Sequence, residues 1–171
     1  MVRLDETVPV AQALRARGGG PTKKGLVAGI DYGPLADWLG FHLRLAQIAS
    51  FQAFASEAQE IDLSPGRFAL LLLIGRNPGI SQTALSHAHG SDKSTLTPAL
   101  NDLKRRGLIT RARLKRDRRS YQLALTPAGQ QLLVRLTACA SRHEQNLDRI
   151  VGARERARLL ELLRKLYTEL G

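Results

Sequence analysis

The sequence predicts a mainly α-helical protein with one small β-hairpin. Apolar residues make up 43% of the 171 residues and aromatic residues only 5%. Leucine is the most frequent apolar residue, which favours packed helices over a β-sandwich. Apolar residues recur at helical spacing through most of the chain. Only after Gly107 does the spacing change to the period of two that is typical of strands.

The first 34 residues are predicted to form a flexible basic arm. Residues 1–30 carry five basic and two acidic side chains around the segment RGGGP, a composition that is hard to fold alone. Two interpretations are open. The arm is either a solvated tail, or a segment that adds phosphate contacts or closes over a partner subunit.

Two helices are predicted between residues 35 and 76. The first extends from Leu35 to about Gln59, and Asp37 near its start suits the helix dipole. Ser64 followed by a proline opens the second helix, in which residues 68–74 are apolar nearly all round. This second helix should therefore lie at the centre of the core.

A helix-turn-helix is predicted next. Ser81 caps a short third helix whose inward residues should be Ala84, Leu85 and Ala88, and Gly90 provides the turn. Ser91 is predicted to cap a fourth helix that ends at Gly107. Leu96, Ala99, Leu100 and Leu103 form the buried face of that fourth helix. Pro98 should bend this helix, because it removes one amide hydrogen bond.

Two strands follow the fourth helix and are joined by a strongly basic turn. Alternating apolar residues mark strands over 108–114 and 121–125, with the sequence KRDRRS between them. Residues 91–120 hold ten basic and three acidic residues, 10 − 3 = +7, out of a whole-chain charge of +11. Because such a turn has no core to satisfy, its cations should face a polyanion. Helix-turn-helix and cationic hairpin together indicate binding of duplex DNA.

Two further helices are predicted at the C-terminus. Thr126 followed by a proline opens a long helix, Gly152 interrupts it, and a final helix follows. Together with the first helix they carry more apolar surface than one small DNA-binding domain can cover. Packing against a second copy of the chain explains this surplus.

Residues 35–170 resemble the MarR family of winged helix-turn-helix regulators. The resemblance rests on STLT at 94–97, LKRRGL at 103–108, DRRS at 117–120 and LTPAG at 125–129. It implies a transcription factor, and a dimer formed by the first helix and the last two. The chain would then divide into a basic arm (1–34), a dimerisation helix (35–62), a DNA-binding domain (63–126) and C-terminal dimerisation helices (127–171).

The DNA-binding candidates lie on the polar face of the fourth helix, at the start of the third and on the wing. Polar and cationic side chains at these places can bind base edges and phosphates, and wing arginines can enter the minor groove. A bare carboxylate would be repelled by DNA, so we expect Asp117 to orient an arginine or to close the turn. The candidates are Gln82, Lys93, Ser94, Thr95, Thr97, Asn101, Arg105, Lys115, Arg116, Arg118 and Arg119.

The resemblance also implies a small effector, a small aromatic carboxylate or its coenzyme A thioester. Aromatic rings beside a cation suit an aromatic anion. The alternative for each residue is an ordinary place in the core or at the interface. The ligand candidates are Trp38, Phe41, His42, Arg44, Phe51, Phe68 and His143.

Other functions are less well supported. His87 and His89 are two residues apart, which on a helix points them to different sides, and no metal or cofactor site is predicted. We find no catalytic motif, and therefore predict no enzyme. Cys139, the one cysteine, lies on an apolar stripe, where a thiol is usually inert packing. Redox sensing by this cysteine and nonspecific architectural DNA binding are the rival hypotheses. Without an apolar segment long enough for a membrane span or a signal peptide, a cytoplasmic location is expected.

Overall fold

The computed structural model describes residues 26–58, 61–113 and 121–171. The described residues form two compact units, which divide between Ala49 and Ser50. The boundary falls inside the first helix, α1 (Leu39–Glu57). The predicted basic arm up to residue 25 and the tip of the wing, residues 114–120, lie outside the described residues.

The first helix begins later than the sequence predicted. A 3-10 turn at Gly33–Ala36 precedes it, with Pro34 in its first turn, and Asp37 closes that turn by donating its N–H to the carbonyl of Pro34. The prediction that helix 1 starts at Leu35 is therefore wrong, and the first turn of α1 holds no acidic residue. A proline fixes its own φ and restrains its neighbours, which suits a short separate turn.

The second unit contains helices α2 (Pro65–Arg76), α3 (Gln82–His89), α4 (Lys93–Arg105), α5 (Pro127–Val151) and α6 (Ala153–Leu170). Three of the predicted caps are confirmed. The side chains of Ser64, Ser81 and Thr126 each accept a hydrogen bond from a backbone N–H three residues later.

The predicted cap of α4, Ser91, is wrong. Asp92, not Ser91, accepts the backbone N–H of Thr95 at 2.7 Å. Ser91 is held elsewhere, because its hydroxyl lies 2.6 Å from Nδ1 of His89. The helix continues through Pro98 and ends where predicted, with Gly107 at φ 69°, a left-handed conformation that suits glycine.

A three-stranded antiparallel sheet packs beside these helices. Its strands are β1 (Ile80–Ser81), β2 (Ile109–Arg113) and β3 (Tyr121–Leu125), in the order β1-β3-β2. The hairpin β2-β3 is the predicted one, with Arg111 opposite Leu123. Sequence reasoning missed β1, which pairs Ile80 with Leu123 and is too short to show a period.

The core lies between α2, α3, α4, β3 and α5. Its fully buried side chains include Leu70 and Ile74 from α2, which confirms the predicted central helix. Helix α4 buries the predicted Leu96, Leu100 and Leu103. Leu85 alone is buried in α3, while Ala84 and Ala88, predicted to point inward, are exposed. An eight-residue helix has about two turns and presents a small area to the core, and the side chain of Leu85 covers that area.

The C-terminal helices differ in how much they bury. Helix α5 buries Leu136, Cys139 and His143, whereas α6 buries no residue, and its Leu159, Leu162 and Tyr167 are 40%, 43% and 68% exposed. In the part of the chain that the structure describes, no helix is both long and apolar enough to cross a membrane.

Candidate nucleic-acid interface

Helix α4 presents a polar face to solvent at its N-terminal half. Lys93, Ser94 and Thr95 occupy its first turn and are exposed, and Asn101 is exposed two turns later. Ser94 is partly committed to the cap, since its hydroxyl donates to Oδ1 of Asp92 at 2.7 Å. This face supplies donors and acceptors of the kind that bind base edges and phosphates.

Two residues in the first turn of α4 donate hydrogen bonds to the capping carboxylate of Asp92. The hydroxyl of Ser94 and the N–H of Thr95 donate to it, and these hydrogen bonds lower the pKa of Asp92 below its ordinary value of 3.8. The start of α4 is thereby fixed at neutral pH. Sequence reasoning chose the neighbouring serine, because both residue types are good caps.

Two predicted DNA-binding residues contact each other. Nε2 of Gln82, at the start of α3, donates to the hydroxyl of Thr97 in α4 at 3.0 Å. Thr97 donates in turn to the carbonyl of Lys93 at 2.8 Å. Oε1 of Gln82 accepts a hydrogen bond from Arg111 of β2 at 2.9 Å. Both side chains are only partly exposed.

A buried carboxylate holds the C-terminal end of α4. Asp102 is 7% exposed, and arginines 67, 105 and 106 converge on it. Nε of Arg67 and Nε of Arg106 lie 3.0 and 3.2 Å from its Oδ2, and Arg105 contacts its Oδ1. Sequence reasoning missed this cluster, although the spacings of three and four residues from Asp102 to Arg105 and Arg106 are a helical ion-pair pattern.

Arg105 therefore has two possible partners. Its side chain is 78% exposed although it contacts Asp102, so the guanidinium remains accessible to a phosphate. Arg106 also donates to the carbonyl of Asp62 at 2.6 Å, which connects the end of α4 to the segment before α2.

The base of the wing is described, and its tip is not. On β2 and β3, Arg111 lies over the ring of Tyr121, with 3.9 Å between its Cζ and the ring centroid. The predicted phosphate contacts Lys115, Arg116, Arg118 and Arg119 fall outside the described residues.

The predicted ligand residues are divided between the two units. In the first, Trp38 is 59% exposed, Arg44 is exposed, Phe41 packs 5.8 Å from Tyr32 between ring centroids, and Nε2 of His42 lies 2.6 Å from the carbonyl of Ala36. In the second, Phe51 is 46% exposed. The rings of Phe54 and Phe68 stack at 5.5 Å, and His143 lies 3.0 Å from the hydroxyl of Ser50.

His143 is the buried member of that set. It is 5% exposed, its ring meets Phe54 edge to face at 5.9 Å, and its Nδ1 has no hydrogen-bond partner among the described residues. A buried polar atom without a partner is costly, so this nitrogen is suited to a polar group that arrives from outside.

Cys139 lies on the buried side of α5, 8% exposed. Its sulfur accepts from the guanidinium of Arg142 at 3.3 Å, beside a cavity of about 520 Å³. His89, weighed in the sequence as a metal ligand, has both ring nitrogens near protein oxygens, those of Ser91 and Gly66. No group of three residues able to hold a metal occurs among the described residues.

Comparison with known proteins identifies the family. The model of the MarR family matches residues 63–121, which begin just before α2 and end at the first residue of β3. The chain is 38% identical over 157 residues to a protein from Thauera aromatica, and the match covers 91% of this chain and 94% of that protein. The relative is named "Putative transcriptional regulatory protein for hcr operon". The chain belongs to the MarR family.

Solved structures of two MarR-like regulators share its fold. The transcriptional repressor CouR bound to a 23-mer DNA duplex is 34% identical, with a TM-score of 0.74 over 81% of this chain and 98% of that chain. CouR has also been solved bound to p-coumaroyl-CoA, with a TM-score of 0.75. The PcaV transcriptional regulator from Streptomyces coelicolor, in complex with its natural ligand, is 26% identical, with a TM-score of 0.76 over 85% of this chain and all of that chain. This MarR-family member is thus a transcriptional regulator with a winged helix fold.

Proposed function

We propose that this regulator is a homodimeric repressor that a small aromatic acid or its coenzyme A thioester releases from its operator. The single observation that carries the proposal is the similarity to CouR over 98% of that chain, since CouR is a repressor observed both with duplex DNA and with p-coumaroyl-CoA. The name of the Thauera aromatica relative also supports control of one operon.

Helix α4 would enter the major groove. Its exposed side chains would contact bases and phosphates: Lys93, Ser94, Thr95 and Asn101. The guanidinium of Arg105 would turn partly away from Asp102 and bind a phosphate of the DNA backbone. Arginines 118 and 119 of the wing would neutralise phosphates or enter the adjacent minor groove. Two such subunits about one helical turn apart predict a pseudopalindromic operator.

A second copy of the chain would cover the exposed apolar side chains of α6. Leu159, Leu162 and Tyr167 recur at spacings of three and five residues, and a helix without one buried residue contributes little to a core of its own. We assign residues 35–62 and 127–171 to dimerisation and residues 63–126 to DNA binding. The family match at residues 63–121 supports the assignment of DNA binding to residues 63–126.

The effector would be an aromatic anion. Trp38, Phe41, Phe51 and Phe68 supply rings, Arg44 a cation, and His42 and His143 polar nitrogens. Of these, His143 has the strongest case, because its buried Nδ1 lacks a partner among the described residues. An effector acts only through its difference in affinity for the free and DNA-bound forms, so it must disfavour the spacing of α4 helices that DNA requires.

A two-stage titration tests this proposal. Thermal-shift measurements with aromatic acids, their coenzyme A thioesters and free coenzyme A identify binders, since a specific ligand raises the melting temperature by mass action. Each binder is then added to the complex of the chain with a labelled operator selected from a random duplex library. We expect one acid or thioester to weaken that complex at least tenfold, with no effect of free coenzyme A.

Each half of the proposal can fail by itself. A ligand that binds but leaves operator affinity unchanged contradicts the effector half. A chain that binds random duplex as tightly as the selected operator is an architectural DNA-binding protein, and the repressor half is then wrong.

Asn101→Ala should change the preferred DNA sequence more than the salt dependence of binding. A uniform loss of affinity over all sequences would mean that Asn101 contacts the DNA backbone and not a base.

A further inference from the structure

Gln82 lies between the two parts of the molecule that would contact DNA. Its amide nitrogen donates to Thr97 of α4 at 3.0 Å, and its amide oxygen accepts from Arg111 of β2 at 2.9 Å. The side chain therefore joins helix α4 to the hairpin β2-β3 by two hydrogen bonds in series. Gln82 itself sits in the first turn of α3, directly after the cap Ser81.

The hairpin end of this connection is well anchored. Arg111 faces Leu123 across the ladder, so Tyr121 is its diagonal neighbour on the same face of the sheet. The guanidinium of Arg111 stacks 3.9 Å from the centroid of the Tyr121 ring. A partly buried guanidinium held by a ring below and an amide oxygen beside it has little freedom to swing towards a phosphate.

The helix end is equally committed. A threonine hydroxyl has one proton and two lone pairs, and that of Thr97 gives its proton to the carbonyl of Lys93 while accepting from Gln82. The hydroxyl has no second proton to offer a base acceptor. Gln82 has likewise used one of the two lone pairs of its oxygen on Arg111 and one of its two amide protons on Thr97.

We propose that Thr97, Gln82 and Arg111 are positioning residues that fix the strands of the hairpin β2-β3 relative to helix α4, so that both fit one stretch of DNA. This inference rests on the proposed operator binding, and it changes the roles expected for Gln82 and Thr97, which the sequence suggested as direct contacts. Affinity for an operator depends on the two elements being correctly placed together, because a rigid arrangement does not have to be ordered on binding. Nonspecific binding requires only positive charge.

A double-mutant cycle with uncharged substitutions tests the proposal. Thr97→Val and Gln82→Leu remove the hydrogen bonds with little change of volume and none of charge, so long-range attraction to DNA stays constant. Fluorescence anisotropy gives the affinity of each variant for the selected operator and for a random duplex of equal length. Thr110→Val is the matched control, since Thr110 lies next to Arg111 on β2 and its hydroxyl donates to the carbonyl of Ala124 across the hairpin.

We expect each single change to weaken operator binding about tenfold and the double change to weaken it no more than the worse single one. Random-duplex affinity should stay within about twofold in every variant, because the charge is unchanged. Thermal unfolding of each variant should show that it is folded at the assay temperature. Thr97→Ser, which keeps the hydroxyl, should restore near-normal operator affinity. Amide hydrogen exchange of 109–112 and 121–125 should quicken in Gln82→Leu, at a temperature at which the variant remains folded.

Other outcomes overturn the inference. Losses that multiply to about a hundredfold in the double variant mean that Thr97 and Gln82 contact DNA independently. Equal losses on operator and random duplex mean a general structural role. If the wild-type chain does not distinguish the operator from random duplex, the proposed function itself fails. If it does distinguish them but the losses are additive, only the positioning role is wrong.

Discussion

Nε of Arg67 lies 3.0 Å from Oδ2 of Asp102, which joins helix α2 to helix α4 through a buried charge. The two atoms do not have the orientation of a hydrogen bond, so the contact is an ion pair without a directed proton. Arg105 and Arg106 reach the same carboxylate from the C-terminal turn of α4. One acidic side chain thus gathers three cations at the C-terminal end of the helix proposed to enter the major groove.

Asp102→Asn should destabilise the folded chain by about 2 kcal/mol. Asparagine has nearly the same volume, but it leaves three arginines converging on an uncharged group, and removal of one partner from a buried pair is costly. The arginines are between 36% and 78% exposed, so solvent reduces the loss below that of a fully buried pair. Urea unfolding measures the change. Arg105→Ala, which removes the most exposed partner, should cost less than about 1 kcal/mol, and a variant Asp102→Asn as stable as wild type would contradict the role of the cluster.

Gly129→Ala should prevent normal packing at the start of α5. A Cβ at this position would lie 2.0 Å from the backbone carbonyl oxygen of Leu108, so helix α5 or the segment between α4 and β2 would have to move. We expect a loss of roughly 3 kcal/mol or more, as for severe overpacking of a core. Gly66→Ala is the control, because nothing lies within 4 Å of its Cβ, and thermal unfolding should show it unchanged or slightly stabilised. Equal melting temperatures for both variants would exclude the steric explanation.

Acid should weaken the start of helix α4 through Asp92. Hydrogen bonds from Ser94 and Thr95 hold the pKa of Asp92 below its ordinary value of 3.8. A depressed folded pKa contributes stability that is fully present above the unfolded value and is lost as pH falls through the folded value. Asp92→Asn keeps a capping oxygen without the titration. Denaturant unfolding from pH 7 down to pH 2 should therefore give a shallower acid loss for Asp92→Asn than for wild type, and parallel curves would show that Asp92 does not contribute.

Removal of wing cations should reduce the salt dependence of operator binding. Each phosphate contact changes the slope of log affinity against log salt by about 0.9, so Arg118→Ala and Arg119→Ala should each flatten it by that amount or less. The matched control is Lys165→Ala, which makes the same charge change on α6, where the lysine pairs with Glu169 at 3.9 Å. Anisotropy titrations between low and physiological salt measure the slope. Unchanged slope and affinity in both wing variants would remove the wing from the mechanism.

Cys139 should behave as a packed thiol and not as a peroxide sensor. Its side chain is 8% exposed, so a bulky thiol reagent should react at least tenfold more slowly with the native chain than with the unfolded chain. Peroxide should release operator to the same extent from wild type and from Cys139→Ser. Release from wild type alone would instead establish redox control.

The fold was largely predictable because its elements are bounded by local chemistry. Ser64, Ser81 and Thr126 each precede a helix that begins where a capping oxygen and, in two cases, a proline favour it. The failures are also instructive. Ser91 and Asp92 are both good caps, and the structure places the hydroxyl of Ser91 against His89 and the carboxylate of Asp92 against the N–H of Thr95. Strand β1 has two residues and shows no period, so it exists only because Gly79 and Ile80 meet β3.

The candidate site was less predictable, since exposure and pairing depend on neighbours distant in sequence. The sequence predicted Gln82 and Thr97 as direct DNA contacts, but it gave no sign of their mutual hydrogen bond, which joins side chains fifteen positions apart. The partnership of Arg111 with Gln82 and Tyr121 could not be read from a pattern of alternating residues. Nor could the ion pair between Arg67 and Asp102, which belong to different helices.

The sequence by itself determined the helices, the hairpin, the concentration of cations between residues 91 and 120, and hence a protein that binds duplex DNA. These properties follow from spacing, capping and charge within short segments, which act before the chain has folded. Only the tertiary structure decided which polar residues face solvent and which are held by Asp102 or Gln82. The physical reason is that hydrogen bonds and ion pairs require atoms within about 3 Å, and that proximity is created by packing of the core.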